Sequence, residues 1–150
     1  KRLGFTIYRD HRGIALLPSG EVLVRDHLTG LKPGVSVRWG MVTPATPGET
    51  GASTLDLRQA HARLALRILQ PAGATWEILD TATPRNEWDS PNPGTAMAAF
   101  TVTAPATGIL DLAVVFIPGS RTATPTENLN LAPPLEWSDA SASQTTPPPQ

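Results

Sequence analysis

The chain of 150 residues contains no cysteine, which excludes a disulfide framework and all thiolate chemistry while leaving the compartment open. It is also poor in charge. Asp, Glu, Lys and Arg make up 17 % of it, and their net charge is −1. Nothing here forms the basic footprint of a nucleic-acid binder or of a reader of anionic membranes. A polyanionic substrate would likewise find no cationic stripe to follow. No apolar run approaches the roughly 20 residues needed to cross a bilayer; the longest, Leu112 to Ile117, has the length of a buried strand. The sequence opens on Lys1 without a signal-peptide pattern, from which we expect a processed or excised piece of a longer product.

What the chain has is punctuation, with 16 prolines and 12 glycines falling between short apolar stretches or near the C-terminal end. That spacing predicts an all-β fold, an antiparallel β-sandwich in which proline's missing N–H is kept out of central strands. Strands are expected at Phe5 to Arg9, Ile14 to Leu17, Glu21 to Arg25, Val35 to Val42, Thr75 to Ala82, Ala98 to Thr103 and Ile109 to Ile117. His11-Arg12-Gly13 reads as a turn, and Thr43 to Ser53 as a loop. Leu55 to Leu69 holds good helix formers, yet its leucines recur at period two and no N-cap precedes them, so two strands joined near His61 are expected. In the third strand Val35, Val37, Trp39 and Met41 share one face, which places Trp39 in the core, and Trp76 follows the same logic. The sandwich is expected over residues 1–119. Residues 120–150, rich in Thr, Ser, Ala and Pro, are expected to form an extended, partly disordered tail, with Leu129, Leu131, Leu135 and Trp137 able to dock on a sheet.

Residues with chemical potential are few. No Gly-x-Ser-x-Gly, His-Glu-x-x-His or phosphate-binding glycine loop is present, so we expect no catalytic constellation, metal or cofactor. Extending the ladder of a hairpin about Ser19 would bring His11 opposite His27, beside Asp10 and Asp26, as ligands for Zn2+ or Cu2+. The turn at His11-Arg12-Gly13 takes His11 off that ladder, which sets the metal site aside in favour of solvated turn histidines. Trp88 stands in a polar loop with Arg85, Asn86, Glu87 and Asp89. A sugar ring stacks well on an exposed indole, and Arg85 could pair with a uronate carboxylate; Trp88, Arg85 and Asp89 are the candidate carbohydrate site. The alternative is a hydrophobic plug at one end of the sandwich.

Several pieces follow one another in order along the chain: the Arg-led first strand, the Val/Leu-rich strand ending at Asp26, Thr29-Gly30-Leu31-Lys32-Pro33, and the strand from Trp39 to Pro44. Pro71, Trp76, Asn92-Pro93-Gly94 and Val114-Val115-Phe116-Ile117-Pro118 complete the set. In this order they resemble the C-terminal β-domain of heparinase II/III-like polysaccharide lyases. The resemblance implies a non-catalytic domain that scaffolds upstream catalytic domains, a parent acting on acidic polysaccharide by β-elimination, and a periplasmic or extracellular location. The family's catalytic Tyr, His and Asn/Glu positions have no counterparts here, so none is carried over. A carbohydrate-binding module and a stand-alone interaction domain are the alternatives.

Overall fold

The computed structural model describes residues 8–84, 86–119 and 129–137. Nine strands are assigned among them: β1 Arg9–Leu16, β2 Val22–Thr29, β3 Ser36–Thr43, β4 Thr46–Thr50, β5 Thr54–Gln59, β6 Ala62–Gln70, β7 Glu77–Asp80, β8 Ala96–Thr103 and β9 Leu110–Pro118. They form a six-stranded antiparallel sheet in the order β1-β2-β9-β6-β5-β4 and a three-stranded one in the order β3-β8-β7. The expected all-β sandwich is therefore what the chain builds.

Register organises the larger sheet into rows. Directly opposed residues share a face, so Leu16, Val22, Phe116, Leu66 and Leu55 form one row, and Ile14, Val24, Val114 and Ile68 the next. These rows face the smaller sheet. Across the gap, Trp39 stacks on Phe100 with centroids 5.6 Å apart, and Trp76 meets both edge-on at 5.7 and 5.5 Å. Phe116 approaches Trp39 from the larger sheet at 6.3 Å. Trp76 Nε1 donates to the Ser53 carbonyl at 3.0 Å, which settles its polar edge. Both indoles are buried, as period two predicts.

Two expectations about local structure are corrected. His11-Arg12-Gly13 is not a turn but the middle of β1, in unbroken pairing with β2 from Arg9↔Thr29 to Leu16↔Val22. Gly13 serves close approach rather than chain reversal: a Cβ there would lie 2.7 Å from the Trp137 ring and 2.8 Å from Pro134 Cβ. The Thr43 to Ser53 stretch is not wholly loop either, because β4 lies within it. β4 is the last strand of its sheet and pairs only with β5 across a register shift, which is where a strand tolerates Pro47. The remaining strands of the described region fall within a few residues of expectation, and the hairpin of β5 and β6 turns at Ala60-His61, so the strand reading of Leu55 to Leu69 holds. Phe5 to Ile7 lies outside the described residues.

The outer face of the larger sheet is partly covered as well. Residues 129–137 run over β1 and β2, with a 3-10 turn at Pro134–Glu136. Leu129 is buried, Trp137 Nε1 donates to the Ala132 carbonyl at 3.0 Å, and Arg25 Nε donates to the Leu131 carbonyl at 2.7 Å. Of the four apolar residues expected to dock, Leu135 is the exception and stays exposed. β9 is buried on both faces, as its nearly continuous apolar sequence requires: Leu112, Ala113, Val114 and Val115 are all buried, on alternating faces.

Candidate functional site

The loop between β7 and β8 carries the expected carbohydrate residues. Its base is tied by Thr81 and Thr95, whose hydroxyls lie 2.6 Å apart, and by Asn92 N–H donating to the Thr81 carbonyl at 3.0 Å. The Asp80 carboxylate accepts from the N–H groups of Ala82 and Thr83 at 2.9 and 3.1 Å. Asn86 then holds a tight turn: its side-chain oxygen accepts from Trp88 N–H at 3.0 Å and its carbonyl from Asp89 N–H at 3.2 Å. On that turn Trp88 is 84 % exposed, so it is not a plug between the sheets. Asp89 joins Asp80, Thr81, Thr83, Ser90 and Asn92 around a hollow of about 290 Å³, and Trp88 stands outside its lining. Arg85 lies outside the described residues. The loop thus sets Asp89 in a hydroxyl- and carboxylate-rich hollow and the indole beside it.

A larger cleft, about 490 Å³, opens at one end of the sandwich between Asp10 and Leu28 of the larger sheet and Val37 of the smaller, with Leu31, Lys32 and Tyr8 at its margin. Next to it Arg12 donates to both carboxylate oxygens of Asp26, at 2.5 and 2.9 Å. Asp26 is buried while Arg12 reaches solvent. That fork-on-carboxylate geometry gives strong, directional hydrogen bonds, and it holds the Arg12 guanidinium above its usual range. Asp10 lies one residue pair further along the same face. Partial burial first, then repulsion from Asp26, pushes its carboxyl up. Sequence reading missed this trio. Its signal was the alternation of Asp10, Arg12 and Ile14, visible only once β1 is extended through the supposed turn.

The opposite face of the same strands holds a second polar row, His11, His27 and Asp111. His27 Nδ1 lies 2.6 Å from Asp111 Oδ1, and the buried Arg25 donates to the same oxygen at 3.2 Å. The supposed turn that separated the histidines does not exist, so they are directly opposed. No group of three or more His, Cys, Asp or Glu side chains is arranged to hold a metal ion among the described residues. His61 is exposed in the β5–β6 turn, far along the chain from either row.

Among the described residues these three features stand out: an exposed indole next to a hydroxyl-rich hollow, an apolar-floored cleft, and a histidine row. No family model matches the chain, and no curated protein is significantly similar to it.

Proposed function

We propose that the chain is a non-catalytic β-sandwich domain that buttresses the catalytic domains of a heparinase II/III-like polysaccharide lyase, exported to the periplasm or beyond. The observation that supports this reading is the mismatch between the two sheets. Along the single row Leu16, Val22, Phe116, Leu66 and Leu55, the last two side chains are fully buried, whereas Leu16 is 76 % exposed; in the next row Ile14 is 67 % exposed. The larger sheet therefore carries its core face out past the smaller sheet, and the exposed Ile14 and Leu16 are side chains that a neighbouring domain would cover. A shallow groove lined by Trp88 would have favoured a binding module instead, and Trp88 lies outside the hollow beside it.

The test is to express the polypeptide encoded upstream of this chain in its gene as a separate protein and measure association by sedimentation velocity. A one-to-one complex is expected, weakened by the pair Ile14→Glu and Leu16→Glu. A gene with no upstream domain, or a complex indifferent to both substitutions, overturns the reading.

A second reading has its own observation, the 84 % exposed Trp88 on a hydrogen-bonded turn. Indole stacking on a sugar ring with hydroxyl contacts from the hollow gives weak binding of acidic oligosaccharide, on the order of 0.1–1 mM. Titration of uronic-acid oligosaccharides against tryptophan fluorescence tests it; binding that survives Trp88→Ala removes Trp88 from the site.

A further inference from the structure

We propose that His11 and His27 form a cross-strand chelate for a divalent d-block cation such as Cu2+. Three observations on the outer face of the larger sheet carry it. The β1–β2 register sets the two histidines directly opposite each other, a pairing that puts Cβ atoms about 4.5–5.5 Å apart on one face. His27 Nδ1 is taken by Asp111 Oδ1 at 2.6 Å. A carboxylate there fixes the tautomer with the proton on Nδ1 and leaves the Nε2 lone pair free, the arrangement that orients metal-binding imidazoles. His11 Nδ1, in turn, is cut off from solvent and has no hydrogen-bond partner. Buried polar nitrogens are rarely left so, and coordination would satisfy this one.

The electrostatics permit a cation. Among the described residues, Arg25 is the basic side chain hydrogen-bonded to this row, held by Asp111 at 3.2 Å and by the Leu131 carbonyl at 2.7 Å, and Arg9 lies next along the His11 face of β1. The Arg25 charge is thus matched by the Asp111 carboxylate. Asp111 acts here as a positioning residue, not a ligand. Two imidazole nitrogens suit Cu2+, the tightest binder of the divalent series at nitrogen sites. Because β1 ends the sheet, a bound ion would also clip an edge strand to its neighbour.

The experiment titrates CuSO4 into the full chain and follows heat release, with electron paramagnetic resonance of the one-to-one sample. Expected is a single site with two-nitrogen histidine coordination and a rise in melting temperature on loading. His11→Gln or His27→Gln should weaken binding more than ~10-fold, and Asp111→Asn by about 10-fold, the scale of outer-partner loss. His61→Gln should change nothing. Circular dichroism checks the fold of each variant; if His27→Gln does not fold, His11→Gln on the edge strand decides the question. No stoichiometric binding, binding unchanged in His11→Gln, or binding lost in His61→Gln overturns the proposal.

Discussion

Removing Arg12 should expose how the inner face of β1 and β2 tolerates a carboxylate. Asp26 is buried in the row that continues to Leu112, and its two oxygens are both held by one guanidinium. Taking away one partner of a buried pair typically costs 3–5 kcal/mol, because the remaining charge has lost its compensation. Arg12 is half exposed, so water can follow the side chain in, and we place Arg12→Ala at about 2–3 kcal/mol. For a chain of this size that is roughly 6–9 °C in melting temperature. Asp26→Asn removes the charge and keeps one acceptor, so its cost is smaller, about 1–2 kcal/mol. The double change Arg12→Leu with Asp26→Leu replaces the pair by apolar bulk on a core-facing row. It should be close to neutral and less damaging than Arg12→Ala alone. Urea unfolding with an unchanged slope reads all of them. Arg12→Ala within ~0.5 kcal/mol of the parent would mean that solvent already compensates Asp26. A double variant as damaging as Arg12→Leu and Asp26→Leu summed would deny that the two residues are coupled at all.

Trp39→Ala and Trp76→Ala should each cost ~3–5 kcal/mol in denaturant unfolding, and a loss below ~1 kcal/mol would refute their place in the aromatic cluster. Gly13→Val should prise residues 129–137 off the sheet, since the ring of Trp137 occupies the space of any side chain there; faster proteolytic cleavage within that segment is the readout, and unchanged cleavage refutes the packing. The folded state holds the Asp10 proton more tightly than the unfolded chain does, because burial and Asp26 raise its carboxyl. The ionised form therefore lowers stability at neutral pH, and that loss disappears as the pH falls below the unfolded carboxylate range. Asp10→Asn should accordingly raise the unfolding midpoint at pH 7 and leave it unchanged near pH ~3; a variant less stable at pH 7 would contradict the direction of the shift.

Most strands were legible because their signal is local. Val37, Trp39 and Met41 alternate with Arg38 and Gly40, and that pattern alone gives β3 and its inward face. The Leu112 to Val115 run reads as a strand covered on both sides, and all four of its residues are buried. Glycine and proline mislead where their role is not chain reversal. Gly13 is small to admit an indole, and Pro47 sits on an edge that asks nothing of its nitrogen. Neither purpose is written in the neighbouring residues.

The site suffered most from that one glycine. Taking Gly13 as a turn cut β1 short, and with it went both rows of chemistry that β1 brings to β2: Asp10 and Arg12 beside Asp26 on one face, His11 opposite His27 on the other. Register is unforgiving here, because a strand's side chains alternate and a break of one or two residues scrambles which groups meet. Trp88 is legible from composition instead, and its exposure follows from a turn built by Asn86, a residue in that same polar stretch. Local polarity could find an exposed indole, but only the pairing of β1 with β2 could find a carboxylate buried under an arginine. The chemistry of this domain therefore depends on where an edge strand begins, and the overhang of Ile14 and Leu16 belongs to that same strand.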